Sequence, residues 1–149
     1  MVKRASEPND PWSGQIAYPG GRMEEIDKDT VDTAIRETFE EVGLRVTKKE
    51  VIGKLSEVRT HVNNIVVTPY VSFKSENKEL ELNSEIVNDL WVPTKTFNVK
   101  RFKEMKIFHD QDIVKTRTCY IFEGQIIWGL TRKISFELAK ILGNYNEHY

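Results

Sequence analysis

Residues Val31, Ala34, Ile35, Thr38, Phe39 and Val42 recur at three- and four-residue spacing, a period that predicts a helix over Thr30–Val42. Gly43 supplies its stop, because glycine enters the left-handed conformation that ends helices at no steric cost. A second amphipathic run, Leu130–Leu142, places Leu130, Ile134, Leu138, Ile141 and Leu142 on one face, with Gly143 as the expected stop. Between them, "VIGKLSEV" (Val51–Val58) and "IVVTPYVSF" (Ile65–Phe73) are rich in branched and aromatic residues and predict neighbouring antiparallel strands, followed by "ENKEL" as a solvated loop. "QIAY" (Gln15–Tyr18) and "DLWVP" (Asp89–Pro93) predict two more short strands. Thr116–Phe122 and Gln125–Trp128 predict a hairpin around Glu123-Gly124. The sum is an α+β chain, a mixed sheet with helices packed on it. "SEPNDPWSG" (Ser6–Gly14) is a turn-rich loop.

The 149 residues contain no internal repeat or linker-like tract and suit one domain over 1–149. With 22 basic and 23 acidic residues the net charge is -1, so there is no basic field of the kind that nucleic-acid binders carry, and no nucleic-acid partner is expected. One cysteine, Cys119, excludes an intramolecular disulfide, and its apolar surroundings in "TCYIF" make it a buried small hydrophobe rather than a nucleophile. No stretch of membrane-spanning length or signal peptide is visible; a cytoplasmic protein that does not engage the membrane is expected. His61, His109 and His148 lack zinc-site spacing. Trp12, Tyr18 and Trp91 are candidates to stack a base, although Trp91 and Trp128 lie in strand-like runs and read as core or sheet-face residues.

The predicted helix over Thr30–Val42 carries Glu37, Glu40 and Glu41 on one face, roughly opposite its apolar stripe. Like charges at that spacing cost a few tenths of a kcal/mol per pair. Glu40 and Glu41 also stand in the last turn, where the helix dipole disfavours anions by about 0.3–1 kcal/mol each. A solvated acidic face, offset by Arg36, Arg45, Lys48 and Lys49, is one reading. The other is a site for a hard divalent cation, Mg²⁺ or Mn²⁺, which carboxylate and carbonyl oxygens hold and which relieves the repulsion. Gly20-Gly21, about fifteen residues upstream, would let the backbone approach a ligand closely.

"GGRMEEIDKDTVDTAIRETFEEVGL" resembles the signature box of Nudix hydrolases, G-x5-E-x7-R-E-U-x-E-E-x-G-U with U aliphatic, at Gly21, Arg36, Glu37, Glu40, Glu41, Gly43 and Leu44. Asp27 is the first acid, the spacer to Arg36 is eight residues, and Thr38 takes an aliphatic position. In those departures, and in "SGQIAYPGG", "VTPYV", "LNSEIVNDLWVP" and "IIWGLTRKI", the chain is similar to the coenzyme A diphosphatase branch of the family. It differs from that branch in "ASEPNDPWS", so the branch's coenzyme A contacts are not carried over, and in opening at "MVKRA". Either the native start lies upstream, or the first strand is shortened and a partner chain, as in a homodimer, covers its exposed edge.

The resemblance implies a Nudix fold, a mixed sheet sandwiched between helices, and Mg²⁺- or Mn²⁺-dependent hydrolysis of the diphosphate bond of a nucleoside diphosphate derivative, coenzyme A or a related compound. ADP-ribose or nucleoside triphosphate pyrophosphatase activity and a non-catalytic nucleotide-binding module are the alternatives. It further implies Glu37, Glu40 and Glu41 as metal ligands with the Gly20 carbonyl, and Arg36 as the residue that fixes a box glutamate. The general base is left among Glu40, Glu85 and Glu123. Arg4 and Arg22, which flank the glycine turn, are candidates for the substrate phosphates.

Overall fold

The computed structural model describes residues 1–8, 10, 12–60, 64–75, 79–98, 101–109 and 113–146, and the chain divides into two units, Met1–Leu90 and Trp91–Tyr149. In the first, β1 (Val2–Arg4) lies between β2 (Ile16–Ala17) and β7 (Ile86–Asp89), antiparallel to both. Both edges of β1 are therefore paired within the chain.

The strand expected at Asp89–Pro93 lies earlier, at Ile86–Asp89. Val2 and Lys3 pair with Asp89 and Asn88, whereas Pro93 begins a 3-10 turn over Thr94–Thr96. Trp91 is 63% exposed rather than a core residue.

Helix α1 spans Thr30–Val42, as its period predicts. Asp29 caps it by accepting from Asp32 N–H at 2.9 Å, a contact of a kind worth about 1 kcal/mol. Lys48 bridges Asp29 and Asp32. At the other end Gly43, with φ of 67°, donates its N–H to the Phe39 carbonyl at 2.9 Å. The C-terminal carbonyls find partners in the 81–83 segment: Glu81 N–H donates to Val42 O and Asn83 N–H to Glu41 O, both at 3.0 Å. That segment runs so close to Gly43 that a Cβ there would stand 2.8 Å from the Glu81 Cβ. Val42 packs with Val2 and Ile86, flanked by Leu44, Leu80 and Leu82, and so moors the acidic end of the helix to the sheet.

The two long branched runs each break into two strands. β3 (Val51–Lys54) pairs with β6 (Tyr70–Ser72), and β4 (Val58–Arg59) with β5 (Val66–Val67), all antiparallel as expected. Pro69 sits at the break between β5 and β6; it has no N–H to give to a ladder, and its carbonyl accepts from Leu55 N–H at 2.9 Å. The "ENKEL" loop lies partly outside the described residues.

In the second unit β8 (Lys103–His109), β9 (Ile113–Phe122) and β10 (Gln125–Trp128) form an antiparallel meander. Glu123 (φ 48°) and Gly124 (φ 73°) are both left-handed, the geometry of a tight hairpin turn. β8 is not legible in the charged string "KEMKIFH". Cys119 and Ile127 are fully buried, and Tyr120 packs edge-on against Phe97 with centroids 5.1 Å apart. Trp128 is partly buried in β10.

Helix α2 runs Gly129–Asn146. It does not stop at Gly143 but passes through it, and Ile141 and Leu142 are about 45% exposed although they belong to its apolar stripe. Its buried positions are Thr131, Ile134 and Ser135, the last made acceptable by donation of its hydroxyl to the Thr131 carbonyl at 2.7 Å. Among the described residues no helix is long and apolar enough to cross a membrane.

Candidate active site

The site is built in the first unit, where the acidic end of α1 meets the glycine turn. Asp27 is its hidden anchor. Its carboxylate accepts from Arg36 Nε at 3.1 Å and Nη2 at 3.0 Å, from Thr33 Oγ1 at 3.0 Å and from Glu24 N–H at 2.9 Å. The hydrogen bonds from Arg36, then that from Glu24 N–H, pull the Asp27 carboxyl down to about 2. Asp27 in turn raises the Arg36 guanidinium above its ordinary range.

Fixed on that side, Arg36 points Nη1 at the box carboxylates, 3.1 Å from Glu37 Oε1 and 2.8 Å from Glu40 Oε2. Nη2 also donates to the Arg22 carbonyl at 3.0 Å, which ties the glycine turn to the helix. One guanidinium thus contacts both glutamates and the loop, with Asp27 as its principal partner.

Gly21 has a reason of its own. A Cβ built there would overlap the Glu37 carboxylate, so only glycine lets that carboxylate lie against the turn. Burial raises the Glu37 carboxyl, opposed by the charge of Arg36.

Glu41 departs most from the sequence reading. It does not stand on a solvated face opposite the apolar stripe; it is 4% exposed, drawn inward beside Val42. Burial, first, and the nearby Glu37 and Glu85 charges push its carboxyl up to about 7, against the opposing charge of Arg4 and a hydrogen bond from the Gly20 amide. Arg4 Nη1 lies 3.8 Å from Glu41 Oε1, an ion pair without a hydrogen bond, and Glu41 Oε2 is buried with no hydrogen-bond partner.

A buried carboxylate oxygen with a lone pair unmet, beside further carboxylates, fits a cation better than it fits anything the chain itself supplies. Among the described residues no three His, Cys, Asp or Glu side chains stand in a geometry that would hold a metal ion. Arg36 Nη1 lies between Glu37 and Glu40, so positive charge already sits on those two carboxylates, while Glu41 has only the longer 3.8 Å contact to Arg4.

Of the remaining candidates, Arg4 reaches the site from the end of β1, and Arg22 is exposed in the glycine turn. Glu85 lies close enough for its charge to act on Glu41. Glu123 belongs to the second unit, at the β9–β10 turn. Trp12 is 36% exposed and Tyr18 partly buried. Cys119 is fully buried and burial raises its thiol, which suits a packing residue. His109 ends β8; His61 and His148 lie outside the described residues. Sequence reasoning passed over Asp10, whose Oδ2 accepts from Arg4 Nη2 at 3.1 Å, because in "SEPNDPWSG" an aspartate between prolines reads only as a turn former.

The NUDIX domain family matches this chain over residues 1–112. Two relatives, from Yersinia pestis (strain Pestoides F) and Yersinia pseudotuberculosis serotype O:1b (strain IP 31758), each carry the name uncharacterized Nudix hydrolase NudL. Both are 32% identical over 130 residues, which is 86% of this chain and 64% of each relative, so the chain spans less than two thirds of their length. Residues 1–112 contain the glycine turn, the capped helix with its carboxylates and the arginine that orders them, and on that match the chain belongs to the Nudix family.

Proposed function

We propose that the chain hydrolyses the diphosphate bond of a nucleoside diphosphate derivative with Mg²⁺ or Mn²⁺ as cofactor, and that coenzyme A or a related compound is its substrate. The observation that carries this reading is the buried Glu41 carboxylate with an unpartnered oxygen, at the end of a helix whose other acids face the same glycine turn. Glu37, Glu40 and Glu41, with a Gly20 backbone carbonyl, are the residues to hold the cation. When bound, it neutralises phosphate oxygens and activates the attacking water.

The chain's own residues do the rest. Arg36, gripped by Asp27, keeps Glu37 and Glu40 in place, and these carboxylates would hold the cation once the Arg36 Nη1 contact with them is loosened. Gly21 keeps the space beside Glu37 clear. Arg4 and Arg22 meet the substrate phosphates, a charge-assisted contact that aligns the phosphorus for attack. Glu40, exposed and at the helix end, takes the proton from the attacking water, with Glu85 and Glu123 as the alternatives. Water adds to phosphorus, one phosphorus–oxygen bond of the anhydride breaks, and the departing phosphate leaves with the bridging oxygen.

The test is a panel of coenzyme A, ADP-ribose, dinucleoside polyphosphates and nucleoside triphosphates with Mg²⁺ or Mn²⁺, products resolved by chromatography. Release of 3′,5′-ADP and 4′-phosphopantetheine, lost in Glu41→Gln, is expected. Cleavage of another substrate alone discards the coenzyme A assignment. No turnover on any substrate, with nucleotide still bound, overturns the enzymatic reading in favour of a binding module.

A further inference from the structure

Arg4 is fixed at its root and held at its tip by one carboxylate. Its backbone belongs to β1, its N–H donates to the Gln15 carbonyl at 3.1 Å, and the next residue, Ala5, donates to the Glu85 carbonyl at 2.7 Å. The guanidinium then has two carboxylates in reach. It hydrogen-bonds Asp10 at 3.1 Å but stands 3.8 Å from Glu41, outside hydrogen-bond distance. Arg4 Nε is buried with no partner, so neither neighbour saturates the group.

Asp10 is itself held. Its other oxygen accepts from Trp12 N–H at 3.0 Å, its carbonyl from Ser13 N–H at 3.0 Å, and its N–H donates to the Glu7 carbonyl at 3.3 Å. Glu7 N–H donates to Ser13 Oγ at 2.8 Å, and Gly14 N–H to the Ala5 carbonyl at 3.2 Å, which closes the loop on the end of β1. The carboxylate that holds Arg4 is thus a fixed post.

We propose that Asp10 is a positioning residue that holds the Arg4 guanidinium off Glu41, so that the unpartnered Glu41 Oε2 stays open to a divalent cation and Arg4 stays available to a phosphate. The proposal rests on the reading of Glu41 as a cation ligand. Without Asp10 the guanidinium closes onto Glu41 as a direct charge-assisted pair and competes with the cation for the same lone pairs.

The probe is Mn²⁺ alone, with no substrate, titrated into the purified chain and followed by the paramagnetic resonance signal of free Mn²⁺. Asp10→Asn is expected to weaken Mn²⁺ binding about tenfold, the scale of one charge-assisted contact. In an Arg4→Gln background the same substitution is expected to change it by less than about twofold, since the competitor is gone. Asp10→Glu, which keeps the carboxylate, is expected to stay within about threefold of the unmodified chain, and it carries the test if Asp10→Asn does not fold.

A tenfold loss that persists in the Arg4→Gln background would mean that Asp10 acts only as a distant negative charge, and would overturn the proposal. So would unchanged binding in Asp10→Asn, or a tenfold loss in a folded Asp10→Glu. Absence of Mn²⁺ binding in the unmodified chain would instead remove the cation reading itself, a different result from any of these.

Discussion

Replacing Glu41 by glutamine should make the cation-free protein more stable, against the usual effect of altering a buried residue. In the folded chain the Glu41 carboxyl titrates at about 7, against 4.5 for an ordinary glutamate, mainly because burial strips water from the charged form. At about 1.4 kcal/mol for each tenfold change in proton affinity, the ionised carboxylate costs about 3–4 kcal/mol of folding free energy. The folded state binds the proton more tightly than the unfolded one. The Glu41 contribution to stability is therefore most favourable below the ordinary carboxyl range, falls as pH rises from about 4.5 to about 7, and is level above.

Glutamine keeps the shape and one acceptor oxygen but never ionises. Urea denaturation in EDTA at pH 8 should find Glu41→Gln more stable by about 2 kcal/mol, and at pH 5 within about 0.5 kcal/mol of the unmodified chain. Mn²⁺ at a hundred times its dissociation constant should add about 2.7 kcal/mol to the unmodified chain at pH 8 and far less to the variant. A variant that is equal or less stable at pH 8 in EDTA would refute the idea that an incompletely compensated charge is buried at this position.

Other substitutions separate site from scaffold. Gly21→Ala drives a methyl into the flexible end of Glu37, so the chain should fold while turnover drops about a hundredfold; steady-state kinetics beside circular dichroism checks both. Gly43→Ala meets the Glu81 backbone and a left-handed φ of 67°, and chemical denaturation should show a loss of about 1–3 kcal/mol. Asp29→Ala removes the α1 cap and should cost about 1 kcal/mol in the same assay, with little change in cation affinity. Asp27→Asn takes the charged partner from Arg36, so both stability and turnover should fall, the first by about 1–3 kcal/mol in a urea melt.

The bounds of α1 and the left-handed turn at Glu123-Gly124 could be read from the chain because local signals decide them: a cap, a stop, a period and a two-residue turn. β7 and β8 could not, since "IVND" is too short and "KEMKIFH" too charged to set a clear period, and their strand state comes from pairing with β1 and β9. Helix α2 runs past Gly143 because glycine only weakens a helix by about 1 kcal/mol, and nothing in the next three residues stops it. At the site the box pointed to Arg36 and the glutamates, but neither the burial of Glu41 nor the Asp10 contact with Arg4 has a local signature. Both depend on what the fold brings alongside: Val42 anchored in the core and a loop folded back on β1.

The central claim is that Glu37, Glu40 and Glu41 hold a divalent cation once Arg36 gives way. An anomalous difference map at the manganese edge, from crystals soaked in Mn²⁺, tests it most directly. A peak is expected within about 2.0–2.6 Å of oxygens from these carboxylates, with Glu41 Oε2 among them. Full occupancy elsewhere on the chain, or no peak with Arg36 still between Glu37 and Glu40, would contradict it.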